Sequence, residues 1–391
     1  MDADVDELDT HLPSVLHPSA SVVPAALAAA ELTDASGRET VRAIAIGLEV
    51  CVRLGMAGYD AEAGNSTFFE HGQHATSICG TLGGAVAAGI LLRLDEGGLT
   101  DVMGIAASTA SGIIEANRTG GTVKRLHCGW AAHAAVTATQ LVARGFTGPP
   151  TVLEGRFGFF QAFLHGVYSP REITHELGTT WAVPGIFFKP YPANHFTHTA
   201  VDAALELRDR GLVPEEIESA VLGVPAPVLR TIGQPIDRKR APESGYQAQF
   251  SGPYAVAAAF YGARDGLGVG LGDYSDELAC EPRRRALMAK IDVVADARAT
   301  GIFPRQFPAV LTVRDRDGLT WHAEVMTNRG GPGRPLTDSE LEVKFRDNVA
   351  GRLSAEAADT VMERVRQLDK LDHVRELLRP LAEFGTDGRS Q

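Results

Sequence analysis

The sequence predicts a mostly α protein with an α+β insert: a helical domain built discontinuously from residues 1–186 and 334–391, interrupted by an α+β domain at residues 187–333. Three observations carry this prediction. Residues 39–56 place Val41, Ile44, Ala45, Leu48, Cys51, Val52 and Leu54 mostly three and four positions apart, one apolar stripe on a helix. Residues 218–224, 291–295, 310–314 and 320–325 read as strands, the last two joined through Asp317-Gly318, a hairpin turn signal. After the Gly/Pro-rich stretch 328–335, charge-rich helical patterns return at 338–352, 355–368 and 372–381.

Composition narrows the function classes. A chain of 391 residues with 44% hydrophobic content is long enough for a well-formed core. A formal charge of −12 and the lack of any long Lys/Arg run argue against nucleic acid as a partner. Cys51, Cys79, Cys128 and Cys280 form no CxxC pair, so neither a zinc knuckle nor a disulfide framework is indicated. The longest apolar run, 78–92, is rich in Gly and Ala and stops at Arg93 short of a membrane span. With no basic-then-apolar leader in residues 1–10, the expectation is a cytoplasmic protein without a membrane partner.

Taken in order, the chain opens on Asp2, Asp4, Asp6, Glu7 and Asp9, followed by Thr10, His11 and His17. The acids are either a solvated tail or partners of the two histidines. Residues 22–32 are helical, and 39–56 end at Gly55 and Gly58. Residues 80–94 are apolar nearly all round and small, as expected of a central buried helix. Before it lies a loop with His71, His74, Thr76 and Ser77, where backbone amides at a helix start are suited to an anion. Taken alone, His74 reads first as a core or capping histidine, and so does His71. A further small-residue helix is expected at 99–116 with Thr100 as its N-cap.

The stretch 117–133 follows, Asn-Arg-Thr-Gly-Gly-Thr-Val-Lys-Arg-Leu-His-Cys-Gly-Trp-Ala-Ala-His. Its Gly/Thr half is a loop, and its second half opens an Ala-rich helix that ends at Gly145. Lys124, Arg125 and His127 sit at the junction, a cationic knot in an acidic protein. His127 either faces a ligand or packs, and His133 reads as a packing residue. Residues 178–188 look extended and lead into Lys189-Pro-Tyr191-Pro-Ala-Asn-His195-Phe-Thr-His198, then a helix at 199–210. Helices are also expected at 254–262 and 283–289.

Two constellations carry chemistry. His17, His74 and Lys124 to His127 together would supply cations for carboxylates and imidazoles that exchange protons near neutral pH. That set suits proton abstraction beside a carboxylate, with cationic neighbours stabilising the enolate-like charge. Lys189, Tyr191, His195 and His198 with Gln249, Ser251 and Tyr254 form the second, readable as a carboxylate clamp with a tyrosine proton donor or as interface packing. No GxSxG, P-loop or dinucleotide fingerprint is present. Cys79 and Cys128 read as small buried hydrophobes or as nucleophiles. The pairs His71/His74 and His195/His198 lack an obvious third metal ligand, so no metal is assigned.

Together, Gly-Gln-His74-Ala-Thr-Ser-Ile-Cys-Gly-Thr-Leu-Gly-Gly, Lys124-Arg-Leu-His127-Cys-Gly-Trp-Ala-Ala-His133, Leu153-Glu-Gly-Arg-Phe-Gly-Phe and Lys189-Pro-Tyr-Pro resemble the MmgE/PrpD family. That family includes 2-methylcitrate dehydratase, cis-aconitate decarboxylase and iminodisuccinate epimerase. The resemblance implies a large all-α domain with a smaller α+β domain, an active site between them, no cofactor, a small carboxylate substrate and a homodimer. It places His17, His74, Lys124, Lys189 and Tyr254 at active-site positions and Asp6 and Thr10 in the acidic loop; the expectation is that His17, His74, Lys124 and Tyr254 are catalytic and that Asp6, Thr10, Arg125, His127 and Lys189 bind substrate. It also implies several helices before the Asp-Thr-His loop, which this sequence reaches almost at once. A shortened variant with exposed apolar surface is the corresponding expectation.

The leading expectation is therefore a lyase of the dehydratase type, a carbon–oxygen hydro-lyase. Lys124 and Lys189 grip carboxylates, His74 or His17 acts as base, and Tyr254 or the other histidine assists departure of the hydroxyl. Decarboxylation and epimerisation share the opening step. The alternative from another class is an N-terminally truncated, non-catalytic helical dimer.

Overall fold

The computed structural model describes residues 8–60, 62, 64–116, 123–263 and 266–387, with 382–387 as backbone alone. Asp2, Asp4, Asp6 and the Gly/Thr loop 117–122 lie outside the described residues. Helix predominates over strand, and two compact units separate: Met1–Ile186 with Ala350–Gln391, and Phe187–Val349.

The first unit contains helices α1 (Ser19–Thr33), α2 (Gly37–Ala57), α3 (Ala75–Leu91), α4 (Glu96–Thr109) and α5 (Lys124–Val142). Helix α3 is central and packs against the other four. Every residue of it except Ile90 is buried, which its apolar, small-residue sequence allows. Glycine sets the closeness of the packing. A Cβ at Gly83 would lie 2.5 Å from the Gly47 carbonyl oxygen and 2.8 Å from Cys51 Cβ, and one at Gly47 would lie 2.6 Å from the Gly83 oxygen. The crossing of α2 and α3 therefore requires both. Gly83→Val is expected to cost about 1–3 kcal/mol by overpacking, read as a lowered midpoint in chemical denaturation.

Helix α2 starts with the capping box that Ser36 and Glu39 form. Helix α3 begins at Ala75 and α4 at Glu96, each earlier than the sequence suggested. For α4, Asp95 and not Thr100 is the cap: its Oδ1 accepts from Gly98 N at 2.9 Å. The helix ends at Thr109 because the next residues return as a bridge, Gln73 opposite Ile113. The chain's last segment comes back to the α1–α2 turn: Gly37 N donates to Leu371 O and Val374 N to Ala35 O, both at 2.9 Å.

Residues 178–188 are extended only over Ile186–Phe188. The rest is turns and a short 3-10 segment, because its amides are satisfied by a side chain instead of a neighbouring strand. Glu49 of α2 accepts from Ala182 N at 2.9 Å and Val183 N at 3.1 Å. Its ion-pair partner Arg53, at 2.6 Å, donates to the carbonyls of Glu172, Ile173, His175 and Thr180. Both side chains are buried.

In the second unit, a four-stranded mixed sheet runs in the order β2 (Ile291–Ala295), β1 (Ile217–Val224), β3 (Ala309–Asp315), β4 (Thr320–Val325). β1 is parallel to β2, with Ala220 opposite Ile291, and antiparallel to β3, with Ala220 opposite Val313. β3 and β4 form the hairpin turned at Asp317-Gly318, Gly318 having φ 83°. Alternate residues Ala309, Leu311 and Val313 are buried in a core with α6 (His198–Asp209) and α7 (Gly252–Tyr261). Helix α8 (Asp338–Val349) belongs to this unit, where Lys344 donates to the Lys189 carbonyl. Helices α9 (Ala355–Arg366) and α10 (Arg375–Asp387) close the chain.

Burial also fixes a pH dependence. His11 is buried, its Nδ1 2.8 Å from Ser14 Oγ, and desolvation lowers its pKa from 6.5 to about 4, against a smaller raising effect of Glu49. Burial, with Lys189 next, likewise pushes His198 well below its ordinary value. Between these folded values and 6.5 the unfolded chain binds more protons, so stability is complete above about pH 6.5 and is lost as pH falls toward 4. For His11 alone the loss is about 2 kcal/mol by pH 5. Melting temperature measured from pH 7.5 to 5 is expected to fall, and His11→Asn to flatten part of that slope.

Candidate active site

The N-terminal loop, the start of α3 and the start of α5 bring four sequence-predicted residues into two bonded groups within the first unit. In the first group, His17 Nδ1 lies 2.6 Å from the Asp9 carbonyl and 3.2 Å from Thr10 Oγ1. A carbonyl only accepts, so Nδ1 carries the proton and Nε2 is the lone-pair nitrogen of neutral His17. The backbone sets this geometry: Asp9 Oδ2 accepts from Ser19 N at 3.0 Å at the head of α1, and His17 N donates to Thr76 Oγ1 at 3.2 Å. Thr76 is the second residue of α3, so that helix start holds His17 in place.

In the second group, His74 and His127 face each other, Nδ1 to Nδ1 at 3.0 Å. The rings lie 4.9 Å apart between centroids and inclined by 43°. Both residues are buried, at 3% and 7% exposure. His74 is the N-cap position of α3, yet its side chain makes no capping bond; it turns to α5 instead. Its amide donates to Gly112 O at 3.0 Å, and Ser77 Oγ donates to the His127 carbonyl at 3.1 Å.

Lys124 is the first residue of α5 and half-buried, while Arg125 is exposed. His133 lies on the exposed face of α5, stacked on Trp130 with centroids 5.3 Å apart, and so does not pack inside the bundle. Cys79 and Cys128 are buried, and burial pushes the Cys79 thiol far up, which disfavours a thiolate nucleophile there. His71 is exposed, its ring inclined by 35° to that of His165 with centroids 4.0 Å apart.

In the second unit Lys189 is buried, its Nζ 3.4 Å from the Ala193 carbonyl, which also meets His198 Nε2 at 3.1 Å. The loop that carries it is pinned from several sides. Tyr191 OH donates to Asp202 Oδ1 at 2.6 Å and accepts from Arg329 at 3.2 Å, while Arg334 holds Asp202 Oδ2 at 2.7 Å. Gln249 Nε2 donates to Pro192 O and Asn194 N to Gln249 O, each at 3.0 Å. Tyr254 belongs to a different network: its hydroxyl donates to the Asp273 carbonyl and accepts from Arg284 at 3.4 Å. Burial raises its pKa to about 12.

Several contributors were not visible as such in the sequence. Arg329 and Arg334 act from more than 130 positions along the chain, and no spacing announces them or Gly112 and Asp202. Lys239 is another: burial lowers its ammonium to about 8, and it donates to Phe250 O at 2.8 Å. Among the described residues, no cluster of three or more His, Cys, Asp or Glu is arranged to hold a metal ion, and no helix is long and apolar enough to cross a membrane.

Fold and site define a mostly helical protein with some β structure and buried, hydrogen-bonded imidazoles at helix starts. Comparison with known proteins supplies its lineage. The MmgE/PrpD N-terminal domain model matches residues 3–170 and the MmgE/PrpD C-terminal domain model residues 191–370. The chain belongs to the MmgE/PrpD family. Similar proteins include the cis-aconitate decarboxylase of Homo sapiens, 29% identical over 376 residues that cover 93% of this chain and 74% of that protein. That of Mus musculus is 28% identical over 386 residues, 95% of this chain and 75% of the relative. That of Aspergillus terreus is 31% identical over 225 residues, 55% of this chain and 44% of the relative.

Proposed function

We propose that the chain is a cofactor-independent lyase acting on a small di- or tricarboxylate, and that its reaction is the decarboxylation of cis-aconitate or a close analogue. The buried His74–His127 pair carries this reading, because it sets a proton-exchanging group beside the cationic start of α5. The choice of decarboxylation over the dehydration expected from the sequence is supported by the names of the similar proteins.

In such a reaction the bond to the departing carboxylate breaks and its electron pair passes to the neighbouring carbon, delocalised toward the remaining carboxylates. Cationic groups stabilise that charge and an imidazolium returns a proton to carbon, CO2 being the other product. Lys124, Arg125, Thr10 and Lys189 are assigned to carboxylate binding. His74 is assigned to delivery of the one proton the reaction takes up, and His17, held through Nδ1 by the Asp9 carbonyl, to orienting the substrate. Tyr254, with its hydroxyl in the Asp273–Arg284 network, is assigned to supporting the second unit's packing instead of proton donation.

Proton NMR of the purified chain with aconitate-like, citrate-like and aspartate-derived acids tests the reading. Loss of one carboxylate from an aconitate-like acid is the expected outcome. Water elimination from a citrate-like acid would move the assignment back to dehydration, and a folded chain that transforms none of them would support the non-catalytic alternative. A homodimer is part of the same proposal, and sedimentation velocity should show a species of two chains.

A further inference from the structure

We infer that His127 is the positioning residue of His74: the two imidazoles share one proton between their Nδ1 atoms and act as a single acid–base unit. The inference rests on the proposed role of His74 and deepens it.

At 3.0 Å the Nδ1···Nδ1 contact is a hydrogen bond in which one ring donates and the other accepts. Two imidazolium rings would place N–H against N–H, so the pair accommodates one added proton and resists a second. When His74 takes a proton at Nε2, its Nδ1–H donates to the Nδ1 lone pair of His127, and the positive charge is stabilised with no second charge created. When Nε2 gives the proton up to a carbanion, the pair returns to neutral; the proton is the only atom moved, and water resets it. With Nδ1 committed to His127, exchange between His74 and a substrate runs through Nε2.

The surroundings are built for this contact. Ser77, three residues into the helix that His74 opens, donates to the His127 carbonyl at 3.1 Å, so one helix end fixes both histidines. Gly112 seals the other side: at φ 134° its carbonyl receives the His74 amide, and a Cβ there would come within 3.1 Å of His74 Cβ and 3.3 Å of Ser77 Cβ. Ionisable groups on the elements packed there include Asp9 and His17 ahead of α1, Glu49, Cys51 and Arg53 of α2, Cys79 of α3, and Lys124, Arg125, Cys128 and His133 of α5.

The test uses the full chain with 15N-labelled histidine and needs no substrate for its first part. A nitrogen–nitrogen coupling through the hydrogen bond between two Nδ1 atoms is expected, lost in His127→Phe and in His74→Asn. In steady-state assays with cis-aconitate, His127→Phe is expected to lower kcat on the order of 10²-fold, the lower end of a proton-transfer group's worth, with little change in KM and a displaced pH profile. His127→Asn, which keeps a polar atom near the Nδ1 position, should recover much of the rate. Absence of the coupling in wild type, or an unchanged kcat and pH profile in both variants, would overturn the inference. A wild-type chain that shows the coupling but turns over no carboxylate would sink the proposed reaction and leave the shared proton standing.

Discussion

His74→Ala is expected to lower kcat by about 10²–10⁴-fold, the range typical of a lost proton-transfer group, while the chain stays folded. The substitution removes a buried ring that bonds to His127 through Nδ1, and His74's backbone amide still reaches Gly112. It leaves the His127 ring buried without its Nδ1 partner at about 1–3 kcal/mol, a cost too small to unfold a typical domain. Lys124→Ala should act differently. Lys124 begins a helix and is half-buried, so its loss is expected to raise KM as well as lower kcat, because a carboxylate grip serves ground and transition states together. Circular dichroism beside the kinetics separates these outcomes from unfolding. If either variant retains wild-type kcat/KM, its assigned role is wrong.

Arg53→Ala is expected to be the most destabilising single change in the first unit, at about 3–5 kcal/mol. Arg53 is buried against Glu49 at 2.6 Å and donates to four backbone carbonyls between Glu172 and Thr180. Alanine leaves the Glu49 carboxylate buried without its cation and several carbonyls without a donor. Arg53→Lys keeps the charge but cannot reproduce the planar fork, and should recover only part of the loss. Urea denaturation reads both variants. A midpoint within experimental error of wild type for Arg53→Ala would show that water satisfies these groups and that the pair does not organise the 172–183 segment.

The helical elements were legible because their signals are local. The stripe of α2, the all-round apolar α3 and the Asp317-Gly318 turn are each written in a few neighbouring residues. The misplaced ends have a common cause. Thr100 looked like a cap, but Asp95 accepts the bond, and an N-cap is decided by which side chain reaches the amide. Residues 178–185 look extended from their composition, whereas their conformation is set by Glu49, more than 130 positions away.

The same distinction runs through the candidate site. The residue types of His17, His74 and Lys124 pointed to acid–base chemistry before any geometry was known. The partner of each did not. His127 read as a ligand contact or a packing residue, and only the approach of α5 to the head of α3 turns it toward His74. Tyr254 looked available as a proton donor because Asp273 and Arg284, which take up its hydroxyl, lie 19 and 30 residues further along the chain.

Incubation of wild type, His74→Ala and Lys124→Ala with cis-aconitate in D2O, followed by proton NMR, tests the proposed acid–base site. The expected result is a wild-type product that has lost one carboxylate as CO2 and gained a carbon-bound deuteron, with the rate reduced at least about 10²-fold in His74→Ala. Decarboxylation at the wild-type rate in both folded variants would contradict the placement of the acid–base site at the heads of α3 and α5.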